Sequence, residues 1–106
     1  MKPNNTIIKA LEHYLIHIQM GNHYDWEKRL KYAKDKLSFI ENGGTVDEDW
    51  IKSSPLFFTD VFQTYSDFLK RSIQDAIPDD EDVCRLQEER RIINTLLNAL
   101  KQFLNL

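Results

Sequence analysis

DDEDVCRLQEERRIINTLLNALKQFLNL, residues 79–106, is the stretch whose reading decides the fold. Leu86, Ile93, Leu97, Leu100 and Leu104 recur at helical spacing, and Val83, Leu96 and Phe103 widen the same apolar stripe. Arg85, Glu88, Arg91, Asn98, Lys101 and Asn105 occupy the other face. Asp79, Asp80, Glu81 and Asp82 gather at the start, where the positive end of the helix dipole favours carboxylates. An amphipathic helix of this kind needs a partner surface, because its own hydrogen bonds do not hold it together in water. The rest of the chain is therefore read as supplying that surface.

Three more helices are legible upstream. Ile8, Leu11, Leu15 and Ile18, helped by Ile7 and Tyr14, mark a first helix near 5–20, with Asn4 or Asn5 as cap and Gly21 as stop. Trp26, Leu30, Ala33, Leu37 and Ile40 alternate four and three apart, a coiled-coil-like seam for a second helix near 24–42. Asn22 and Asp25 form a capping pair at its start, and Asn42-Gly43-Gly44 ends it. Thr45 and Glu48 are spaced as a capping box and open a short helical segment at about 46–52. Ser54-Pro55 then starts a third long helix near 55–77, since proline at the first helical position loses no hydrogen bond. Phe58, Val61, Phe62, Tyr65, Phe68, Leu69, Ile73 and Ala76 give it a wide apolar face, with Phe57 off that face. The last helix runs near 80–105, after a break at Pro78.

These elements predict an all-α domain spanning 1–106, an up-down antiparallel four-helix bundle, because short connections make neighbouring helices antiparallel. The last two helices are longer than the first two, so part of their apolar surface is left over, a reason to expect either self-association, as a homodimer, or a protein ligand.

Composition narrows the function. Hydrophobic residues make up 42% of the 106 residues, enough for a core, and the net charge of −3 names no partner by itself. The single cysteine, Cys84, permits no internal disulfide and reads as a structural thiol in a reducing compartment. No apolar run approaches a membrane span and the N-terminal stretch lacks a signal-peptide pattern, so a cytoplasmic protein with no membrane contact is expected.

Chemistry-bearing constellations are incomplete. His13 and His17 share a helix face, but two histidines do not make a zinc site, and no His-Glu-x-x-His occurs. Asp60, Asp67 and Glu88 or Glu89 can approach between the last two helices, yet Glu-x-x-His and Glu-x-x-Glu are both missing. No catalytic residue, metal or cofactor is therefore assigned. Lys28, Arg29, Lys31, Lys34 and Lys36 crowd the second helix with Tyr24, Trp26 and Tyr32, a pattern that suits phosphates; Glu27, Asp35 and Glu41 interrupt it.

The expected function is a small protein-interaction module, of the inhibitor, immunity-protein, secretion-chaperone or adaptor kind. Its partner is another protein, favoured to be basic. Trp50 and Phe57 with the acids Asp47, Glu48 and Asp49 are its expected binding edge, since aromatic anchors with a charged rim are typical of interfaces. The alternative is a dimeric nucleic-acid-associated regulator that uses the basic second helix.

Overall fold

The computed structural model describes residues 3–20, 25–75 and 81–105. Among them lie five helices and no strand: α1 Pro3–Met20, α2 Trp26–Glu41, α3 Glu48–Lys52, α4 Pro55–Asp75 and α5 Glu81–Phe103. The all-α class follows. Gly21, Asn22, Ala76 and the Pro78 break, on which several boundary expectations rest, lie outside the described residues.

α1 begins two residues earlier than expected. Pro3 opens it, with its φ preset for a helix, so Asn4 and Asn5 lie inside the first turn and do not cap it. Ile7, Ala10, Leu11, Tyr14 and Ile18 are buried, one continuous stripe. α1 packs against α2, α4 and α5.

α2 buries only Ala33 and Leu37; Ile40 packs at the margin of the core. The expected seam is thus shorter than its spacing suggested. Trp26, at its first position, is 40% exposed. Gly43 adopts φ 83°, the left-handed turn that ends the helix at no steric cost to glycine.

α3 is capped by Asp47, whose Oδ1 accepts the Trp50 backbone N–H at 2.9 Å. Thr45 is therefore not the cap, and the short helix starts at Glu48. Ile51 carries α3 into the core.

α4 and α5 form the closest helix pair. Phe58, Val61, Phe62, Tyr65 and Leu69 of α4 are buried with Ile93, Leu97 and Leu100 of α5. The Ser66 hydroxyl donates to Asn94 Oδ1 at 2.6 Å, and Lys101 Nζ donates to Gln63 Oε1 at 3.3 Å, so the two helices run in opposite directions. Phe68 and Phe103, both expected on buried faces, are 38% and 51% exposed. Phe68 sits at the edge against His13, and Phe103 lies in the last turn of α5 under the Lys52 ammonium, 5.3 Å from its ring centre. Buried residues of all five helices join in one cluster. Cys84 is exposed and unbridged, so it is not a core thiol.

Candidate functional site

The α2–α3–α4 boundary is built from rings. Tyr32, Lys36 and Phe39 recur four and three residues apart on α2, a second stripe beside Ala33 and Leu37. It meets Trp50 of α3 and Phe57 and Phe58 of α4. The Phe39 and Trp50 rings stack at 5.0 Å with 13° between their planes, and Trp50 tilts onto Phe58 at 5.1 Å. Phe57 makes edge contacts with Tyr32 at 4.7 Å, Phe58 at 5.4 Å and Tyr14 at 5.7 Å. Lys36 lays its ammonium over Tyr32, Trp50 and Phe58, at 4.8, 5.4 and 5.8 Å from the ring centres. Trp50 and Phe57 therefore belong to one aromatic seam, joined through Phe58. Each is half-buried and packed on the core.

Local sequence explains the shape of this seam. An added Cβ at Gly44 would stand 2.4 Å from the Phe39 ring, so glycine there lets the ring lie flat over the loop. The Gly44 N–H donates to the Phe39 carbonyl at 2.9 Å and fixes that close approach. At α4 the Ser54 and Tyr32 hydroxyls share a hydrogen bond of 2.6 Å, which ties the start of α4 to the middle of α2.

Polar groups bracket the rings. Asp47, Glu48 and Asp49 are all exposed at the α3 end. Asp47 is committed to its cap, Glu48 pairs with Lys52 at 3.6 Å, and Asp49 extends into solvent. At the other end, Arg29 Nε pairs with Asp25 at 2.8 Å, and its Nη1 pairs with Asp60 at 3.2 Å. The Tyr14 hydroxyl donates to the same Asp60 oxygen. Burial, then this hydrogen bond, pushes the Tyr14 hydroxyl well above its ordinary pKa, so it stays a donor at every physiological pH. Tyr14, Arg29, Leu56, Phe57 and Asp60 line an open hollow there. Leu56, on its rim, is 72% exposed, the most exposed of the large apolar side chains described.

The expected edge of Trp50, Phe57, Asp47, Glu48 and Asp49 omitted Tyr32, Phe39, Leu56 and Arg29. The i, i+4, i+7 spacing of Tyr32, Lys36 and Phe39 was the signal for the first two. Nothing local marks Leu56.

The carboxylates between the last helices are separated. Asp60 goes to Arg29 and Tyr14; Asp67 accepts from Gln63 Nε2 at 3.0 Å; Glu88 pairs with Arg91. Glu89 is 2% exposed, paired with Lys9 of α1 and accepting from the Tyr65 hydroxyl at 3.4 Å. Burial and the Glu89 charge raise the Tyr65 hydroxyl above its ordinary pKa. His13 and His17 lie with ring centres 6.2 Å apart and 20° between their planes. His13 Nδ1 is buried with no hydrogen-bond partner, and its ring packs on Phe68 at 4.4 Å. Among the described residues, no three histidine, cysteine or carboxylate side chains gather as metal ligands, and no helix is long and apolar enough to cross a membrane.

Compared with protein-family models, with characterised proteins and with solved structures, the chain finds no match.

Proposed function

We propose that this chain is a small protein-interaction module that binds a basic protein along the aromatic seam. The observation that carries the reading is the exposure of that seam. Tyr32 is 42%, Phe39 38% and Leu56 72% open to solvent, beside the half-buried Trp50 and Phe57. Aromatic side chains held rigid by one another supply contact area with little entropy left to lose on binding. Asp47, Glu48 and Asp49 all stay exposed at the α3 end of the seam, which favours a basic partner. The same arrangement supports the nucleic-acid reading less. Lys36 is turned onto rings and Arg29 onto carboxylates, so the basic helix has fewer free cations than its sequence implies.

The test is quantitative binding to a partner captured with the folded protein. Trp50→Ala should weaken the complex by about thirtyfold or more, the worth of a central aromatic anchor. Replacing Asp47, Glu48 and Asp49 by lysine should slow association, most at low salt. A folded Trp50→Ala protein that binds like the wild type sinks the assignment of this edge. A salt-dependent gel shift with DNA or RNA, abolished by removing Lys28, Lys31 and Lys34, would move the weight to the nucleic-acid regulator.

A further inference from the structure

α5 has a second apolar stripe that the core covers only in part, with Leu96 packed against the core. Ile92, Leu96, Ala99 and Phe103 are spaced four, three and four apart, beside the buried Ile93, Leu97 and Leu100. Ala99 and Phe103 are exposed, and Ile92 and Leu96 are half-buried. Two shallow grooves run along the stripe and meet at Leu96. Arg91, Ile92, Thr95 and Leu96 line one. Glu48, Ile51, Lys52, Leu96, Ala99 and Leu100 line the other.

Two features of this face are self-complementary. Its spacing reads the same from either end, so a twofold axis between Leu96 and Ala99 sets each Leu96 on the other copy's Ala99, large upon small. Its flanking charges also come in matching pairs. Arg91 pairs with Glu88 at one end, and Lys52 with Glu48 at the other. A twofold rotation brings the first pair of one copy beside the second pair of the other, where Arg91 can face Glu48 and Glu88 can face Lys52. Lys101, also near that end of α5, is turned towards α4 and Gln63. A parallel pairing would instead set Arg91 against Arg91.

We infer that this α5 face seats a second copy of this chain, with α5 packed antiparallel on α5 and the α3 charges closing the rim. The face spans about three helical turns, roughly 16 Å at 1.5 Å per residue. That is a small interface, of the kind expected for a weak, reversible dimer.

Sedimentation equilibrium of the purified chain alone, from about 1 to 500 µM, reads weak self-association without any other partner. Failure here leaves the proposed binding of a basic protein untouched. The expected result is a monomer–dimer equilibrium that Ala99→Glu weakens by at least about tenfold, since it places a charge at the centre of an apolar contact. Ala99 is exposed in the monomer, so a thermal melt should show the variant folded. Arg91→Glu and Glu48→Arg should each weaken the dimer about several-fold, and the double variant should regain it, because the pair is restored with its signs exchanged. A monomer at every concentration overturns the inference. So does an Ala99→Glu protein that dimerises like the wild type, or a double variant no stronger than either single one.

Discussion

The α4–α5 pair and the α2–α3–α4 seam are both rich in large apolar side chains, yet they are held in different ways. Between α4 and α5 the side chains vanish from the surface: Phe58, Val61, Phe62, Leu69 and Ile93 are 0% exposed. Along the seam the rings stay at the boundary, touching edge-on or stacked, with Lys36 over them and Tyr32 tied to Ser54. Full burial returns the whole hydrophobic free energy, about 1.5–3 kcal/mol for a large side chain. A half-exposed aromatic pair returns about 0.5–1.5 kcal/mol beyond its area. The α4–α5 contact is thus part of the fully buried core, whereas the seam keeps apolar surface open to solvent.

The sharpest way to break this comparison is a pair of truncations. Leu97→Ala, in the middle of the α5 core stripe, should cost about 2–5 kcal/mol through the cavity it leaves. Its exposed neighbour Asn98→Ala should stay within about 0.5 kcal/mol. Urea midpoints measure both, and equal costs would mean that the face assignment of α5 is wrong.

A smaller effect is expected in the seam. Phe39→Ala should cost about 0.5–1.5 kcal/mol, because the ring is 38% exposed and its main contact is the stack on Trp50. Gly44→Ala sharpens the point: the new methyl group must push the Phe39 ring aside, so tryptophan fluorescence should change while the melting temperature moves little. A loss of stability as large as that of Leu97→Ala would make the seam a core in its own right.

The smallest expected effect is on pH dependence. His13 has its pKa lowered from 6.5, first by burial, then by the charges of His17 and Arg71. The unfolded chain then takes up the proton before the folded one does. Stability should be level above pH 6.5 and fall as pH drops below it, through the lower folded-state value. His13→Phe keeps a ring against Tyr65 and Phe68 and should flatten this part of the profile. A variant with the wild-type slope between pH 7.5 and 5.5 would assign the dependence to other groups.

Periodicity made most of the fold legible. The spacing of Leu11 and Ile18, of Phe58 and Phe62, and of Ile93, Leu97 and Leu100 picked out buried residues, because a helix repeats its faces whatever lies against them. It failed where burial depends on a neighbour. Trp26, Phe68 and Phe103 hold good core positions in the helical pattern, yet each is left 38–51% exposed at the edge of its helix packing. Glu89 shows the converse: the sequence offered Glu88 or Glu89 alike as facing α4, and Lys9, eighty residues away, together with Tyr65 makes the burial of Glu89 tolerable.

The sequence by itself determined that the chain is helical, roughly where each long helix runs, and that α5 is amphipathic. Local propensity, caps and a repeat of 3.6 residues are sufficient for that, since they act within a few residues along the chain. Only the tertiary structure decided that Trp50 and Phe57 share one seam with Tyr32 and Phe39, that Asp60 belongs to Arg29 and Tyr14, and that Ala99 and Phe103 of α5 stay exposed. Those pairings join side chains distant in sequence, and their positions follow from which helices pack together and how far each one reaches.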